Sequence, residues 1–83
     1  MPKQITTQQA REYLDLGVLS FAFILPLPMD AGWYVSIEGT KGSAWNLGTA
    51  RGELREFATL DAAVNALRAI GWHVAGLQVH HNG

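Results

Sequence analysis

The 83-residue chain has no cysteine, which excludes a disulfide framework and a thiolate metal site. This suits the reducing cytoplasm, where we expect the protein to reside. Charged side chains are also scarce, at 16% of residues against about 25% in an ordinary domain. Six Lys and Arg residues stand against seven Asp and Glu residues, so the basic excess that is typical of duplex-binding proteins is missing.

Long apolar runs are missing as well. The longest stretch, GVLSFAFILPLPM, is shorter than a bilayer requires and contains two prolines, so we expect no membrane span. The first residues, MPKQ, lead into no apolar stretch of the kind found in a signal peptide. A chain of this length predicts a single domain over residues 1–83, with an ordered core at about 5–79 and a tail at 80–83.

Hydrophobic residues, in contrast, are abundant at 48% of the chain. A small monomer exposes proportionally more of its surface than a large one, so it should contain more charge than average rather than less. Because this chain has few charged and many hydrophobic residues, we expect extra apolar surface that becomes covered when the protein associates with a partner. We therefore expect a protein partner, self-association as a homodimer, or both.

The segment ITTQQAREYLDLG predicts a helix over about residues 7–16. Thr6 and Gln9 have the spacing of a capping box, and Ile5 before the cap can pack against Ala10. Gly17 stands where a helix favours a left-handed residue after its end. The apolar stripe of this helix consists of Ala10, Tyr13, Leu14 and Leu16.

The next segment, VLSFAFILPLP, predicts a strand that is apolar on both faces. Simple alternation places Leu19, Phe21, Phe23 and Leu25 on one face and Val18, Ala22 and Ile24 on the other. A strand of this kind is normally covered on both sides, as a central strand or as an interface strand. Pro26 and Pro28 end it because proline cannot donate a ladder hydrogen bond.

A hairpin follows, with its register set by loop length. A two-residue turn at Thr40-Lys41 would place the alternating apolar residues of its two strands on opposite faces. A three-residue loop ending at Gly42 instead makes one face apolar, and this loop type favours glycine at its last position. We therefore predict that Ile37 lies opposite Trp45 and Val35 opposite Leu47.

The second half predicts another hairpin, a helix and a last strand. The hairpin turns near residues 51–53 and leads into a strand that directs Phe57 into the core, with Arg55 on the same face. Thr59 caps a helix that ends at Gly71, and its apolar stripe is Leu60, Ala63, Val64, Leu67 and Ile70. The last strand directs Ala75, Leu77 and Val79 inward. The expected fold is α+β, with an antiparallel sheet of about four to five strands, two helices and the order αββββαβ.

Catalytic and metal-binding patterns are not recognisable in the sequence. His80 and His81 are adjacent on a strand and point to opposite faces, and His73 lies apart. The carboxylates form no recognisable pair, and the serines lack the context of an activated nucleophile. The glycines of EGTKG flank a lysine between two strands, where a phosphate loop would require a strand and a helix. We therefore predict a protein that is not an enzyme and that has no cofactor, metal site or small-molecule substrate.

Basic and aromatic side chains on the hairpins suggest a candidate surface for a protein or a nucleic acid. Such groups on a sheet can pair with phosphates and stack on bases. Three glutamates, Glu38, Glu53 and Glu56, are interleaved with them, and we expect the arginines to pair with neighbours such as Glu53 or Glu56, which favours a protein-binding or structural role. The candidate residues are Lys41, Tyr34, Arg51, Arg55 and Arg68.

Three segments together carry a resemblance to a family. They are ITTQQAREYLDLGVL, then W-x-V-x-I, then W-x-L-x-T-A-R-G-x-x-R-x-F-x-T-L-D-A-A-V-x-A-L-x-x-I-G. This pattern resembles small plasmid-borne ParC-family partition-associated proteins from Ile5 to about Val79. The resemblance implies an accessory protein of a mobile element in a bacterial cytoplasm, without a defined reaction. The latter half also looks like the arm domains of integrases, but it is far less basic.

Three functional hypotheses remain open from the sequence. The first is an accessory protein of a plasmid, phage or other mobile element that binds a protein partner. The second is a DNA- or RNA-binding protein for partition or repression that uses Arg51 and Arg55. The third is a small inhibitor of a host nucleoprotein defence complex, comparable in role to anti-CRISPR proteins. A net charge of −1 is too small for an inhibitor that imitates DNA.

Overall fold

A computed structural model describes residues 3–72 and 77–79 of the chain. The described part contains two α-helices, five strands and a short 3-10 turn at Pro28–Asp30. In chain order the elements are β1 (Lys3–Ile5), α1 (Thr7–Asp15), β2 (Leu19–Pro26), β3 (Trp33–Gly39), β4 (Ala44–Leu47), α2 (Leu60–Ile70) and β5 (Leu77–Val79).

The five strands form one mixed sheet in the order β1-β4-β3-β2-β5. The three central strands are antiparallel, whereas β1 pairs with β4 and β5 pairs with β2 in parallel. The α+β fold class is confirmed. The two parallel outer pairs differ from the antiparallel sheet that the sequence suggested, and β1 was not predicted as a strand.

Helix α1 begins at the predicted capping box. The backbone N–H of Gln9 donates to the Thr6 hydroxyl (3.2 Å), and the Thr6 N–H donates to the Gln9 side chain (3.1 Å). Gly17 follows the helix with a φ of 74°, as predicted. The interpretation of Leu16 as part of the apolar stripe is wrong, because the chain turns here and leaves Leu16 73% exposed.

Both helices lie on one side of the sheet, which we call the covered face. Helix α2 is capped by Thr59, whose hydroxyl accepts from the Ala62 N–H (3.1 Å), and it ends at Gly71, where φ is 111°. It contacts α1, β2 and β3. The residues that form the buried core are Ile5, Ala10, Leu19, Ala22, Ile24, Val35, Ile37, Leu47, Phe57, Ala63, Ala66, Leu67, Ile70 and Trp72.

The β3–β4 hairpin has the predicted three-residue loop. Ile37 pairs with Trp45, and the N–H of Gly39 donates to the carbonyl of Ser43 (2.7 Å) across the loop. Gly42 has a φ of 82°, in the left-handed region that this loop type requires at its last position. The register places Val35, Ile37 and Leu47 in the core with no exposed surface, so the prediction that one hairpin face is apolar is confirmed.

Beyond β4, the chain makes the predicted turn but does not continue as a regular strand. Two isolated bridges join this segment to the sheet, Gly48 with Leu54 and Trp33 with Phe57. Trp33 and Phe57 exchange two backbone hydrogen bonds of 2.8 Å each, and Phe57 is only 6% exposed. The predicted core position of Phe57 is therefore confirmed, whereas the continuous strand is not formed.

Strand β2 contains a β-bulge that changes which face its first residues occupy. The register with β3 shifts between Leu19 and Phe21, so Ser20 is an extra residue, and its hydroxyl donates to the Glu38 carbonyl (3.2 Å). As a result Leu19 lies in the core at 8% exposed, while Phe21 is 45% exposed. The prediction that these two side chains share a face is wrong, because alternation is interrupted at a bulge.

The last predicted strand is present over Leu77–Val79, where it pairs with Ala22–Ile24 of β2. The predictions for Ala75, His73, His80, His81 and the tail lie outside the described residues.

Candidate interaction surface

The sheet has a second apolar surface on the side opposite the helices, which we call the open face. Along β2 and β3 its residues alternate with those of the covered face, because successive strand side chains point to opposite sides. The residues that β2, β3 and β4 contribute to the open face are Phe21, Phe23, Leu25, Tyr34, Ser36, Glu38, Ala44 and Asn46.

Aromatic and aliphatic side chains form the apolar part of the open face. Phe21 is 45% exposed, whereas Phe23, Leu25 and Tyr34 are half-buried. The rings of Phe21 and Phe23 lie 6.3 Å apart between centroids, with their planes tilted by 40°. Single exposed apolar residues are ordinary on a protein surface, but a contiguous apolar patch is typical of an interaction site.

Three cross-strand rows organise the open face. From one end of the sheet to the other, the paired residues of β2 and β3 are Phe21 with Glu38, Phe23 with Ser36 and Leu25 with Tyr34. Directly opposite residues have Cβ atoms about 5 Å apart, so the side chains within each row are neighbours. The β2 side of the open face is therefore apolar, and it becomes more polar towards β4, where Asn46 pairs with Ser36.

Glu38 is the one charged side chain that β2, β3 and β4 place on the open face. It is exposed, and it lies at the end of the sheet that carries the β3–β4 loop. These three strands place no lysine or arginine there. Because phosphate binding needs cations, these three strands offer no partner for a nucleic-acid backbone.

The structure disperses the residues that the sequence suggested as one site. Tyr34 lies on the open face, whereas Arg68 lies on α2, on the other side of the sheet. Lys41 is in the loop before β4, and Arg51 is in the turn beyond the opposite end of β4. Arg51 is exposed and forms no ion pair within the described ranges. These residues do not form one continuous surface.

The Arg55 side chain connects the segment after β4 to helix α1. Its Nη1 donates to the Thr7 hydroxyl (3.1 Å), and its guanidinium carbon lies 5.1 Å from the centroid of the Phe57 ring. The expected ion pairs with Glu53 or Glu56 are not formed in the part of the chain that the structure describes. The expectation is wrong because Phe57 enters the core and Arg55 extends across its ring towards α1, away from the neighbouring glutamates.

The loop between β2 and β3 is an unusual second surface. Met29 and Asp30 both have positive φ, at 60° and 56°, and Met29 is 97% exposed. For residues other than glycine this conformation is strained by about 1–3 kcal/mol each. A cavity of about 470 Å³ lies beside the loop, lined by Pro26, Leu27, Pro28, Met29, Asp30, Gly32, Trp33 and Ala58.

The described residues contain no group of three or more His, Cys, Asp or Glu side chains that could hold a metal ion. Within residues 3–72, no polar or charged side chain is buried. In the same part of the chain, neither helix combines the length and apolar composition needed to cross a membrane. All three histidines lie outside the described residues.

Comparison of the chain with protein-family models, with curated proteins and with solved structures finds no match. The geometry of the open face is therefore the main indication of function. Sequence reasoning named Tyr34 but missed Phe21, Phe23 and Leu25 as surface residues. The sequence did contain a signal for them, because the strand VLSFAFILPLP is apolar on both faces, and such a strand is normally covered on both sides.

Proposed function

We propose that this protein is a non-enzymatic accessory protein of a plasmid, phage or other mobile element, and that it binds a protein partner through the open face. The resemblance of the chain to ParC-family partition-associated proteins supports the mobile-element setting. The observation that carries the binding proposal is the contiguous apolar patch around Phe21 and Phe23, which the helices leave uncovered.

Covering this patch would provide a substantial driving force. A phenylalanine side chain has about 200 Å² of surface, so the exposed 45% of Phe21 corresponds to roughly 90 Å², worth about 2 kcal/mol at 25 cal/mol per Å². Phe23, Leu25 and Tyr34 add to this. Aromatic side chains at the centre of a patch, with polar residues at its margin, are typical of protein–protein interfaces.

A second candidate function, nucleic-acid binding, is favoured by Arg51 alone. This side chain is exposed on a turn and is not engaged by a carboxylate within residues 3–72. Arg55, the other half of the proposed contact, is already engaged with Thr7 and Phe57. Each phosphate contact requires a cation, and the chain has no surplus of them. We therefore place the protein partner first.

Affinity capture with matched variants tests the protein-binding proposal. We expect the wild-type chain and Leu16→Ser to retain the same protein from a bacterial lysate, and Phe21→Ser to lose it. Leu16 is the control because it is a 73% exposed apolar residue outside the open face. Circular dichroism of each variant checks folding before capture. Equal retention by all three proteins would contradict binding through the open face.

Fluorescence anisotropy with short duplex and single-stranded probes tests the alternative. Measurements at about 50 and 200 mM salt cover the interval over which phosphate-driven affinity falls steeply. We expect no sub-micromolar binding at the lower salt concentration. Tight binding that disappears in a folded Arg51→Ala/Arg55→Ala double variant would replace the protein-partner proposal with the nucleic-acid one.

A further inference from the structure

A groove lies where the ends of the two helices meet the beginning of β2, and we call it the helix-end groove. Its volume is about 440 Å³, within the range of about 300–1,000 Å³ that is typical of ligand sites. A Cβ placed on Gly71 would lie 3.5 Å from Cδ2 of Leu14, so the two helices end close together. The residues that line the groove include Leu14, Asp15, Leu19, Ser20, Ile70 and Gly71.

The walls of the helix-end groove are apolar. Leu14 of α1 is half-buried, whereas Leu19 of β2 and Ile70 of α2 belong to the buried core at 8% and 4% exposed. The groove therefore lies on the helix side of the sheet, and it is a different surface from the open face. Its walls suit the hydrocarbon part of a ligand.

The charges around the helix-end groove favour a cation. The carbonyl end of a helix has a partial negative charge, and both α1 and α2 end at this groove. The last turn of α1 contains Glu12 and Asp15 and no basic residue, although cations are the favoured residues at this end of a helix. Asp15 forms no ion pair within residues 3–72 and 77–79, and Arg68 in the last turn of α2 does not line the groove. A cation from another molecule would complement this charge.

The polar side chains of the helix-end groove offer hydrogen-bond acceptors. Apart from the largely buried Trp72, the polar side chains that line it within the described residues are Asp15 and Ser20. An ionised aspartate only accepts hydrogen bonds. The Ser20 hydroxyl donates its proton to the Glu38 carbonyl (3.2 Å), so its oxygen is left as an acceptor. A positively charged ligand with several donors fits this arrangement.

An arginine side chain combines these properties. Its guanidinium has five N–H donors and a permanent charge, and it is more weakly hydrated than the ammonium of lysine. Its methylene groups can lie along apolar surface while the charged group reaches an acceptor. In the helix-end groove the methylene groups would contact the leucine and isoleucine walls, and the guanidinium would face Asp15 and Ser20.

We propose that the helix-end groove is a second docking site, and that it binds an arginine side chain from an exposed, apolar segment of a partner protein. Apolar residues beside the arginine are expected because the walls of the groove are apolar. A nucleic-acid backbone would instead bring phosphates towards the Asp15 carboxylate, and like charges repel. The proposal goes beyond the function proposed for the open face, and neither depends on the other.

An NMR titration of the isotope-labelled full chain tests the site. The probe is the peptide acetyl-Ala-Leu-Arg-Leu-Ala-amide, and its control contains citrulline, which has nearly the shape of arginine but no charge. We expect the arginine peptide to bind with a Kd of about 1 mM and to shift the backbone amides of residues 14–20 and 70–72 most. The citrulline peptide should bind at least about fivefold more weakly.

Three outcomes of this titration would overturn the proposal. The first is no shift at residues 14–20 and 70–72 with about 10 mM arginine peptide. The second is equal binding of the arginine and citrulline peptides, which would show that the charge plays no part. The third is tighter binding of a peptide with lysine at the central position, which would show that the groove does not select a guanidinium.

Matched variants distinguish direct contact with Asp15 from the general effect of charge. Asp15→Asn should weaken binding of the arginine peptide about fivefold. Glu12→Gln removes the same charge from the same turn of α1 but outside the groove, and should weaken binding less than about twofold. Both side chains are exposed, so we expect both variants to fold. Equal effects of the two substitutions would contradict a contact with Asp15.

Phe21→Ser separates the helix-end groove from the open face. This variant should bind the arginine peptide as the wild type does, because Phe21 does not line the groove. If folded Phe21→Ser lost the peptide, the arginine would bind at the open face and the proposed second site would be wrong, while the function proposed for the open face would stand. If Phe21→Ser bound the peptide normally but captured the same proteins as the wild type, the proposed function would fail and the second site would stand.

Discussion

The two faces of the sheet are built from the same strands but differ in what covers them. On the covered face, Ala22, Ile24, Val35 and Ile37 are fully buried beneath the helices, whereas Phe21 on the open face keeps 45% of its surface exposed. Helices of nine and eleven residues are sufficient for one face only. Apolar alternation therefore identifies residues that need to be covered, while the placement of the helices decides which of them form the monomer's core.

The largest expected difference between the two faces is the loss of unfolding free energy when a phenylalanine of each is replaced by alanine. Phe57→Ala removes a side chain that is 6% exposed and should lower the free energy of unfolding by about 3–5 kcal/mol. Phe21→Ala should lower it by about 1 kcal/mol, because half of the ring is already in water. Guanidinium denaturation, at concentrations where both variants are monomeric, gives both values. Equal losses would show that the open face belongs to the monomer core.

Two leucines, one buried and one exposed, should differ in the same direction as the two phenylalanines. Leu67 is 1% exposed in the middle of α2, and Leu67→Ala should lower the free energy of unfolding by about 2–5 kcal/mol. Leu16→Ala should change it by less than about 0.5 kcal/mol, because this side chain is 73% exposed. Urea denaturation measures both, and a loss below about 1 kcal/mol for Leu67→Ala would contradict the packing of α2.

Two glycines, one before β3 and one in the loop after it, separate a steric clash from backbone strain. A Cβ at Gly32 would clash with the Phe57 carbonyl, and φ there is +125°, so Gly32→Ala should destabilise by about 2 kcal/mol or more. Gly42 also has a positive φ but has open space around it, so Gly42→Ala should cost about 1 kcal/mol. Thermal unfolding of the two variants separates the clash from the backbone strain. If Gly42→Ala were the more damaging, the close approach of Phe57 would be in doubt.

The smallest expected effects concern the arginines. Arg55→Ala removes the hydrogen bond to Thr7 and the contact with Phe57, and should destabilise by about 0.5–1 kcal/mol. Arg51→Ala should leave stability within about 0.5 kcal/mol of the wild type, because this side chain is exposed on a turn. Repeated urea denaturation curves can distinguish the stabilities of the two variants. Equal effects would indicate that Arg55 does not link its segment to α1.

The local parts of the fold could be predicted from the sequence. The capping box of Thr6 and Gln9 and the loop that ends at Gly42 depend on residues only a few positions apart, and both are confirmed. Strand β1 could not be predicted in this way. Its pairing of Ile5 with Leu47 joins segments 42 residues apart in the chain, and three residues carry too little periodicity to indicate a strand.

The sequence predicted that the open face is apolar, but not which residues of β2 lie on it. The sequence indicated that β2 is apolar on both sides, but simple alternation placed Leu19 together with Phe21. The bulge at Ser20 separates them, and it forms because β2 has to pair with β3 while Leu19 packs in the core. The candidate arginines were chosen by spacing in the sequence, which does not show that Arg55 crosses the Phe57 ring to reach Thr7.

By itself, the sequence determined the two helices, their caps, the hairpin register and the excess of apolar residues. These features depend on side-chain chemistry over short distances, where each residue's preference acts directly on its neighbours. The tertiary structure alone decided that both helices cover the same face, that β1 and β5 join in parallel, and that Phe21, Phe23 and Leu25 remain on the open face. Those outcomes depend on which distant segments pack together, because the two helices of the described residues cover only one of the two apolar faces.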